Sequence, residues 1–262
     1  MTMAVLAQLG LAWAIAATLQ LVLWLTQQRT KNAGIVDVGW AASFSLVVVV
    51  FALHATADTA AWFPILLVVA AWSVRLTAYL ISRGAARSPE EGRYVELRRK
   101  WAPNASRSFF LFFQAQAALT GILSVAFVVP FLATPWDSGW LRGLGVAISV
   151  CGVLGESIAD GQLARFKRTN KSKVCDVGLW GWSRHPNYFF EWCMWIGYAV
   201  YGLAFWPHGL VAIVGQAIIV ASIFGVTGIP PTENQAVRSK GDAYRDYQKR
   251  VSRFVPLPPK RS

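Results

Sequence analysis

The chain alternates long apolar runs with short polar segments that are mostly basic. Seven runs are each long enough to cross roughly 30 Å of hydrocarbon as a helix. They lie at about Ala4–Thr26, Ile35–Leu53, Ala60–Ile81, Phe109–Ala133, Leu141–Asp160, Tyr188–Trp206 and Leu210–Ile229. Only Pro207-His208-Gly209 separates the last two, which predicts a tight helical hairpin. The pattern predicts an all-α integral membrane protein, a bundle of about seven transmembrane helices. No internal repeat or low-complexity linker interrupts it, so a single transmembrane domain is expected over 1–262. The first run has no basic residue before it and is followed by Arg29 and Lys31, the mark of a membrane helix rather than a cleaved signal.

Charge sharpens this division. All 25 Lys and Arg residues except Arg75 and Arg142 fall in four polar segments, 29–31, 83–107, 165–184 and 238–261. If seven spans alternate, all four lie on one side, so the positive-inside rule predicts an outside N-terminus and a cytoplasmic C-terminus. A net charge of +12 would ordinarily suggest nucleic acid. Here the aromatics sit in the apolar runs rather than among the basic residues, which argues against a nucleic-acid partner. Cys151, Cys175 and Cys193 have no CxxC or His spacing, so neither a zinc site nor a disulfide framework is expected.

The candidate chemistry lies in the polar residues that interrupt apolar runs. In Gly178–Tyr198 a polar loop, Ser183-Arg184-His185-Pro186-Asn187, runs directly into an aromatic helix that carries Glu191. Pro186 suits a first helical turn. Asn187 and Glu191 stand four apart and share a face, and a carboxylate in an apolar helix is costly without a partner. Glu156 and Asp160 repeat that spacing in the fifth run. Asp37 opens the second run, either as a charge favourable to a helix N-terminus or as a group facing a cavity. Trp40 follows it as a packing aromatic or a cavity wall.

In the third run Trp72, Arg75, Tyr79 and Arg83 share one face. Arg75 either snorkels or meets a buried acid or bound anion. The segment from Arg87 to Trp101 mixes both charge signs, as in a short surface helix with charge pairs that could also fold over a cofactor. The strip Arg165 to Lys173, with Lys171 inside it, reads either as ordinary positive-inside charge or as a phosphate-binding surface. Tyr244, Tyr247 and Val251 form a helical stripe beside Arg250, and an extended proline-rich tail follows.

The polar clusters gather at one end of the predicted bundle. An apolar cavity with a basic mouth suits a lipid-like small-molecule substrate and an anionic cytosolic cofactor. There is no GxGxxG after a strand, no HExxH and no serine elbow, so a Rossmann nucleotide domain and a zinc protease site are not expected.

Asp160, the basic link to Lys173, Gly178-Leu179-Trp180, Ser-Arg-His-Pro-Asn-Tyr, Glu191-Trp, Gly197-Tyr198 and the terminal Asp-Tyr247, Arg250 and Pro256 together resemble the steroid 5-alpha-reductase family, including its bacterial branch. The resemblance covers about Glu156–Pro256. It implies a multi-pass reductase of the bacterial inner membrane that uses NADPH to reduce a carbon–carbon double bond in a steroid, isoprenoid or other enone. It assigns a cofactor-binding C-terminal half (141–256) and substrate-side helices one to four (1–135). Cofactor contact is implied for Arg75, Arg83, Asp160, Arg165, Lys173, Arg184, His185, Asn187, Glu191, Tyr244, Tyr247 and Arg250. Trp40, Trp72 and Glu156 would line the substrate. The family polarises its substrate carbonyl with a Glu and a Tyr. Here Trp72 stands about where that tyrosine would be and the second run has no glutamate, leaving Asp37 and Tyr79 as the catalytic candidates. RHP-type elements also occur in membrane methyltransferases of the isoprenylcysteine type, so S-adenosylmethionine is the alternative cofactor. A non-enzymatic lipid-binding protein is the third reading.

Overall fold

A computed structural model describes every residue except Ser88, Glu91, Asp137, Ser138, Lys171, Val226, Thr227, Arg261 and Ser262. Lys171, singled out above within the basic strip, lies outside the described residues. The described residues form ten α-helices: α1 (Thr2–Thr30), α2 (Ile35–Leu53), α3 (Thr59–Ser82), α4 (Gly92–Lys100), α5 (Ala105–Leu123), α6 (Trp140–Thr169), α7 (Pro186–Leu203), α8 (Ala212–Phe224), α9 (Ile229–Lys240) and α10 (Asp242–Arg250). Among the described residues there is no strand, only an isolated bridge between Ser183 and Ser252.

The protein is an all-α membrane protein. Among the described residues six segments are long and apolar enough to cross a bilayer: α1, α2, α3, α5 with the turn after it, α6, and His208–Lys240, which is apolar through α8. The expected sixth span forms as α7, which has 18 residues and is not among those six. Asn187, Glu191 and its Trp and Tyr residues dilute its apolar character. The last expected span ends at Phe224, and α9 beyond it is polar: Thr232, Glu233, Asn234, Gln235, Arg238 and Lys240 lie outside the apolar stretch.

The described chain divides into two compact units. Unit 1 comprises Met1–Gly139 with Gly202–Gly215, and unit 2 comprises Trp140–Tyr201 with Gln216–Ser262. In unit 1, α1 packs on α2 and α5, and α2 packs on α3. Lipid tails are as apolar as leucine, so packing and interhelical hydrogen bonds hold such helices together. Buried Ser73 on α3 donates to the Ala41 carbonyl on α2 and accepts from the Ser45 hydroxyl at 2.7 Å and the Ser45 N–H at 3.0 Å. Buried Gln20 on α1 donates to the Val36 carbonyl at 3.1 Å. Trp40, Phe44 and Trp72 pack edge to face, with centroids 5.2–6.0 Å apart. Such pairs add roughly 0.5–1.5 kcal/mol each beyond area burial.

Candidate functional site

The site in unit 2 begins with how closely α6 and α7 approach. Gly145, Ser149 and Gly152 on α6 face Gly197, Met194 and Phe190 on α7. A Cβ at Gly152 would lie 2.6 Å from the Met194 nitrogen and 2.7 Å from the Phe190 carbonyl. A Cβ at Gly197 would collide with the Ser149 hydroxyl. Ser149 Oγ itself donates to the Met194 carbonyl at 3.1 Å. The pairing is antiparallel, Gly145 against Gly197 and Tyr201, Gly155 against Phe190. This small-residue seam carries the next positions of the same α6 face, Glu156 and Asp160, to the start of α7.

Glu156 and Asp160 are buried, 4% and 3% exposed. Asn187, in the first turn of α7, donates to Asp160 Oδ1 at 3.5 Å, at the long end for a hydrogen bond. Half-buried Glu191 lies one turn further along α7. The connecting loop is pinned to the same stretch of α6. The Trp180 indole donates to the Ala159 carbonyl at 2.8 Å, and the Leu179 N–H donates to Gln162 Oε1 at 2.9 Å. The 30-residue α6 is about 45 Å long, ~15 Å more than hydrocarbon needs. Its last turns, with exposed Arg165, Lys167 and Arg168, therefore extend past the membrane edge. The Lys167 charge also acts on Lys240 at the end of α9. Burial first, and then the Lys167 charge, pull the Lys240 ammonium below its ordinary value.

A second cluster holds the Arg184-His185-Pro186-Asn187 segment in place. Arg184 Nε donates to Glu233 Oε1 at 2.7 Å, and its Nη1 donates to the carbonyls of Gln248 at 2.8 Å and Val251 at 3.0 Å. His185 Nε2 lies 3.3 Å from the same Glu233 oxygen, and Gln248 donates to the other at 3.1 Å. A carboxylate only accepts, so Nε2 carries the imidazole proton. Burial pushes the Glu233 carboxyl up. The hydrogen bonds from His185 and Arg184 and the guanidinium charge outweigh that and hold it at about 2. Burial lowers His185 below its ordinary value, so at neutral pH it is a neutral hydrogen-bond donor.

The C-terminal strap closes over this clasp. Ser183 Oγ donates to the Phe254 carbonyl, Arg184 N–H to Ser252 and Leu257 N–H to Trp182. The Phe254 ring packs on Phe189, Trp192 and Phe224. Tyr247 donates its phenol to the Trp180 carbonyl at 2.5 Å. Burial holds the Tyr244 and Tyr247 phenols above their ordinary value.

The structure thus separates the expected cofactor residues of unit 2 into two sets. Asp160, Asn187 and Glu191 gather where α6 meets α7, below the exposed Arg165, together with Glu156, which was expected to line the substrate; Lys173 is exposed in the loop after α6. Arg184, His185 and Tyr247 spend hydrogen bonds inside the protein, and buried Tyr244 packs beside Tyr247. Arg250 Nη2 lies 3.5 Å from Asp176.

Asp37, Trp40, Trp72, Arg75, Tyr79 and Arg83 lie in unit 1. Trp40 and Trp72 join the aromatic cluster of α2 and α3. Arg75 and Tyr79 are half-buried on α3, and Arg83 is exposed at its end. Asp37, in the first turn of α2, accepts a hydrogen bond from Tyr94 on α4 at 2.7 Å. The predicted surface helix with charge pairs is α4: Glu90 takes two donations from Arg98, at 2.7 and 3.0 Å, and one from the Ala33 N–H at 2.7 Å.

Sequence reasoning gave no role to Glu233, Gln248 or Tyr94. Glu233 carried one available signal, a lone acid in an otherwise neutral or basic stretch after the last apolar run. The glycine seam was legible as Gly145-x3-Ser149-x2-Gly152-x2-Gly155 and was passed over.

A family model described as a protein of unknown function (DUF1295) matches residues 23–251. Among known proteins, the chain is similar to the uncharacterized protein C594.04c of Schizosaccharomyces pombe. The two are 23% identical over 269 residues, covering 90% of this chain and 76% of that protein. No solved structure matches the chain significantly.

Proposed function

The chain belongs to the DUF1295 family, whose model spans both its units, and from that premise we propose that it is an NADPH-dependent reductase of a lipid-like carbon–carbon double bond. The observation that carries the proposal is the pairing of buried acceptors with an exposed basic end on one helix. Glu156 and Asp160 lie buried opposite Asn187, while Arg165, Lys167 and Arg168 continue α6 beyond the membrane edge.

The donor and acceptor set fits this cofactor. Buried carboxylates and an amide suit the hydroxyls of a ribose and the carboxamide of a nicotinamide. The Lys167 charge disfavours a charged Lys240, and a bound phosphate nearby would offset that cost. When bound, the reduced nicotinamide supplies the hydride. In this reading Asp160 and Asn187 orient the ring end, Glu191 and Glu156 complete that surface, and Arg165, Lys167 and Lys173 hold the phosphates. Arg184, His185 and Tyr247 act as positioning residues, because their contacts fix the segment that presents Asn187. Asp37 and Tyr79, in unit 1, remain the catalytic candidates read from the sequence. The charge bias supports a cytoplasmic C-terminus, with the basic end of α6 facing the cytosolic cofactor pool.

Thermal unfolding of the purified full chain with NADPH, and separately with S-adenosylmethionine, tests the proposal, since a ligand of the native state raises the transition. NADPH raises it in the parent, and Asn187→Ala and Glu191→Ala lose most of that rise while keeping the ligand-free transition. Stabilisation by S-adenosylmethionine instead selects the methyltransferase reading.

A further inference from the structure

Unit 1 holds a cleft that the proposed reaction does not use. Trp24, near the end of α1, and Phe110, in the second turn of α5, meet edge to face with centroids 5.2 Å apart. With Pro103, Asn104, Ser106 and Arg107 they line an open cleft of about 500 Å³. Its floor is aromatic and its rim is polar. The rim is fixed from α1: the Trp24 indole donates to the Ser106 carbonyl at 3.2 Å, and Gln28 Nε2 donates to Ser106 Oγ at 2.9 Å.

Arg107 differs from Arg98 and Arg99, which precede it on α4. Arg98 is paired with Glu90 and Arg99 with Glu96. Among the described residues Arg107 has neither an ion pair nor a hydrogen bond from its guanidinium, and it is exposed. The cleft lies where the apolar part of α1 gives way to Arg29 and Lys31, so its floor is at the edge of the hydrocarbon and its rim at headgroup level.

We infer that this cleft seats one phospholipid with an anionic headgroup. The phosphate meets Arg107, with the Asn104 amide and Ser106 hydroxyl alongside, and one acyl chain lies against Trp24 and Phe110. Charge complementarity selects the headgroup. A zwitterionic lipid brings its own ammonium to its phosphate, whereas an anionic lipid leaves the guanidinium as the compensating charge. The inference is independent of the proposed reductase activity.

Native mass spectrometry of the full chain in detergent, with added phosphatidylglycerol or phosphatidylcholine, tests it. The parent retains one phosphatidylglycerol under activation that strips phosphatidylcholine. Arg107→Ala lowers phosphatidylglycerol affinity about five-fold, and Arg107→Lys restores most of it. Trp24→Ala weakens both lipids, while Arg142→Ala changes neither. Equal retention of the two lipids by the parent, or unchanged phosphatidylglycerol binding in Arg107→Ala, overturns the inference. Should Arg107→Ala fail to fold, the comparison of the two lipids on the parent and on Arg107→Lys decides it.

Discussion

Replacing Glu233 with glutamine keeps the side chain's shape and removes its charge. Arg184 and Glu233 are 10% and 12% exposed and His185 is 3% exposed, so the pair is screened little by solvent. Removing one partner of a buried pair typically costs about 3–5 kcal/mol. Here Arg184 keeps two backbone carbonyls, and the Gln248 amide can turn to accept rather than donate, so a loss of about 2–3 kcal/mol is expected. The depressed carboxyl sets a consistent ceiling: a fall in pKa from 4.5 to about 2 corresponds to about 3 kcal/mol. For a chain of this size that lowers Tm by roughly 5–10 °C in a detergent melt at pH 7.

The pH dependence has a definite sign. The folded Glu233 carboxyl is depressed, so its contribution is complete above 4.5 and is lost as pH falls towards 2. His185 is also depressed, so it destabilises the fold only as pH falls below 6.5, when the unfolded chain gains a proton that the buried ring resists. Glu233→Gln therefore flattens the lower window, and His185→Gln flattens the upper one. A Glu233→Gln protein that melts with the parent, and follows the parent's acid profile, refutes the clasp.

Three further outcomes follow from particular contacts. Gly152→Leu drives a side chain into the Met194 and Phe190 backbone and should abolish recovery of folded protein, judged by monodisperse elution in detergent, whereas Leu154→Ala, at an exposed position of α6, should be recovered like the parent. Tyr94→Phe removes the donor to Asp37 and should cost about 1–2 kcal/mol in a thermal melt, with no loss if that hydrogen bond is unimportant. Glu90→Gln leaves Arg98 half-buried beside an uncharged partner and should loosen residues 83–101, seen as faster backbone hydrogen exchange there than in α2.

The membrane helices were legible because long apolar runs leave few alternatives. The second run matches α2 from Ile35 to Leu53, with Asp37 in its first turn as expected. Boundaries slipped where a helix continues out of hydrocarbon or stops inside it. α6 runs nine residues past Asp160 to Thr169, because a basic helix needs no apolar face beyond the membrane. α5 stops at Leu123, where short turns begin ahead of Pro130, rather than at Ala133. The candidate site was half legible. Asp160, Asn187 and Glu191 betray themselves by four-residue spacing in apolar sequence, a local signal. The Glu233 clasp and the Tyr94–Asp37 bond join residues 49 and 57 positions apart, and no periodicity encodes such pairs. Arg184 and His185 drew attention as charged loop residues, but only the fold reveals that an acid on α9 takes their hydrogen bonds.

The proposed activity transfers a hydride from NADPH to a lipid. Its most direct test incubates the full chain with membrane lipid extract and NADPH carrying deuterium at the transferable position, then follows lipid masses. The expected product is a lipid that gains one deuterium and one proton across a double bond, and an Asn187→Ala protein yields far less of it. NADPH left unconsumed, with a lipid gaining a methyl group when S-adenosylmethionine is supplied instead, contradicts it.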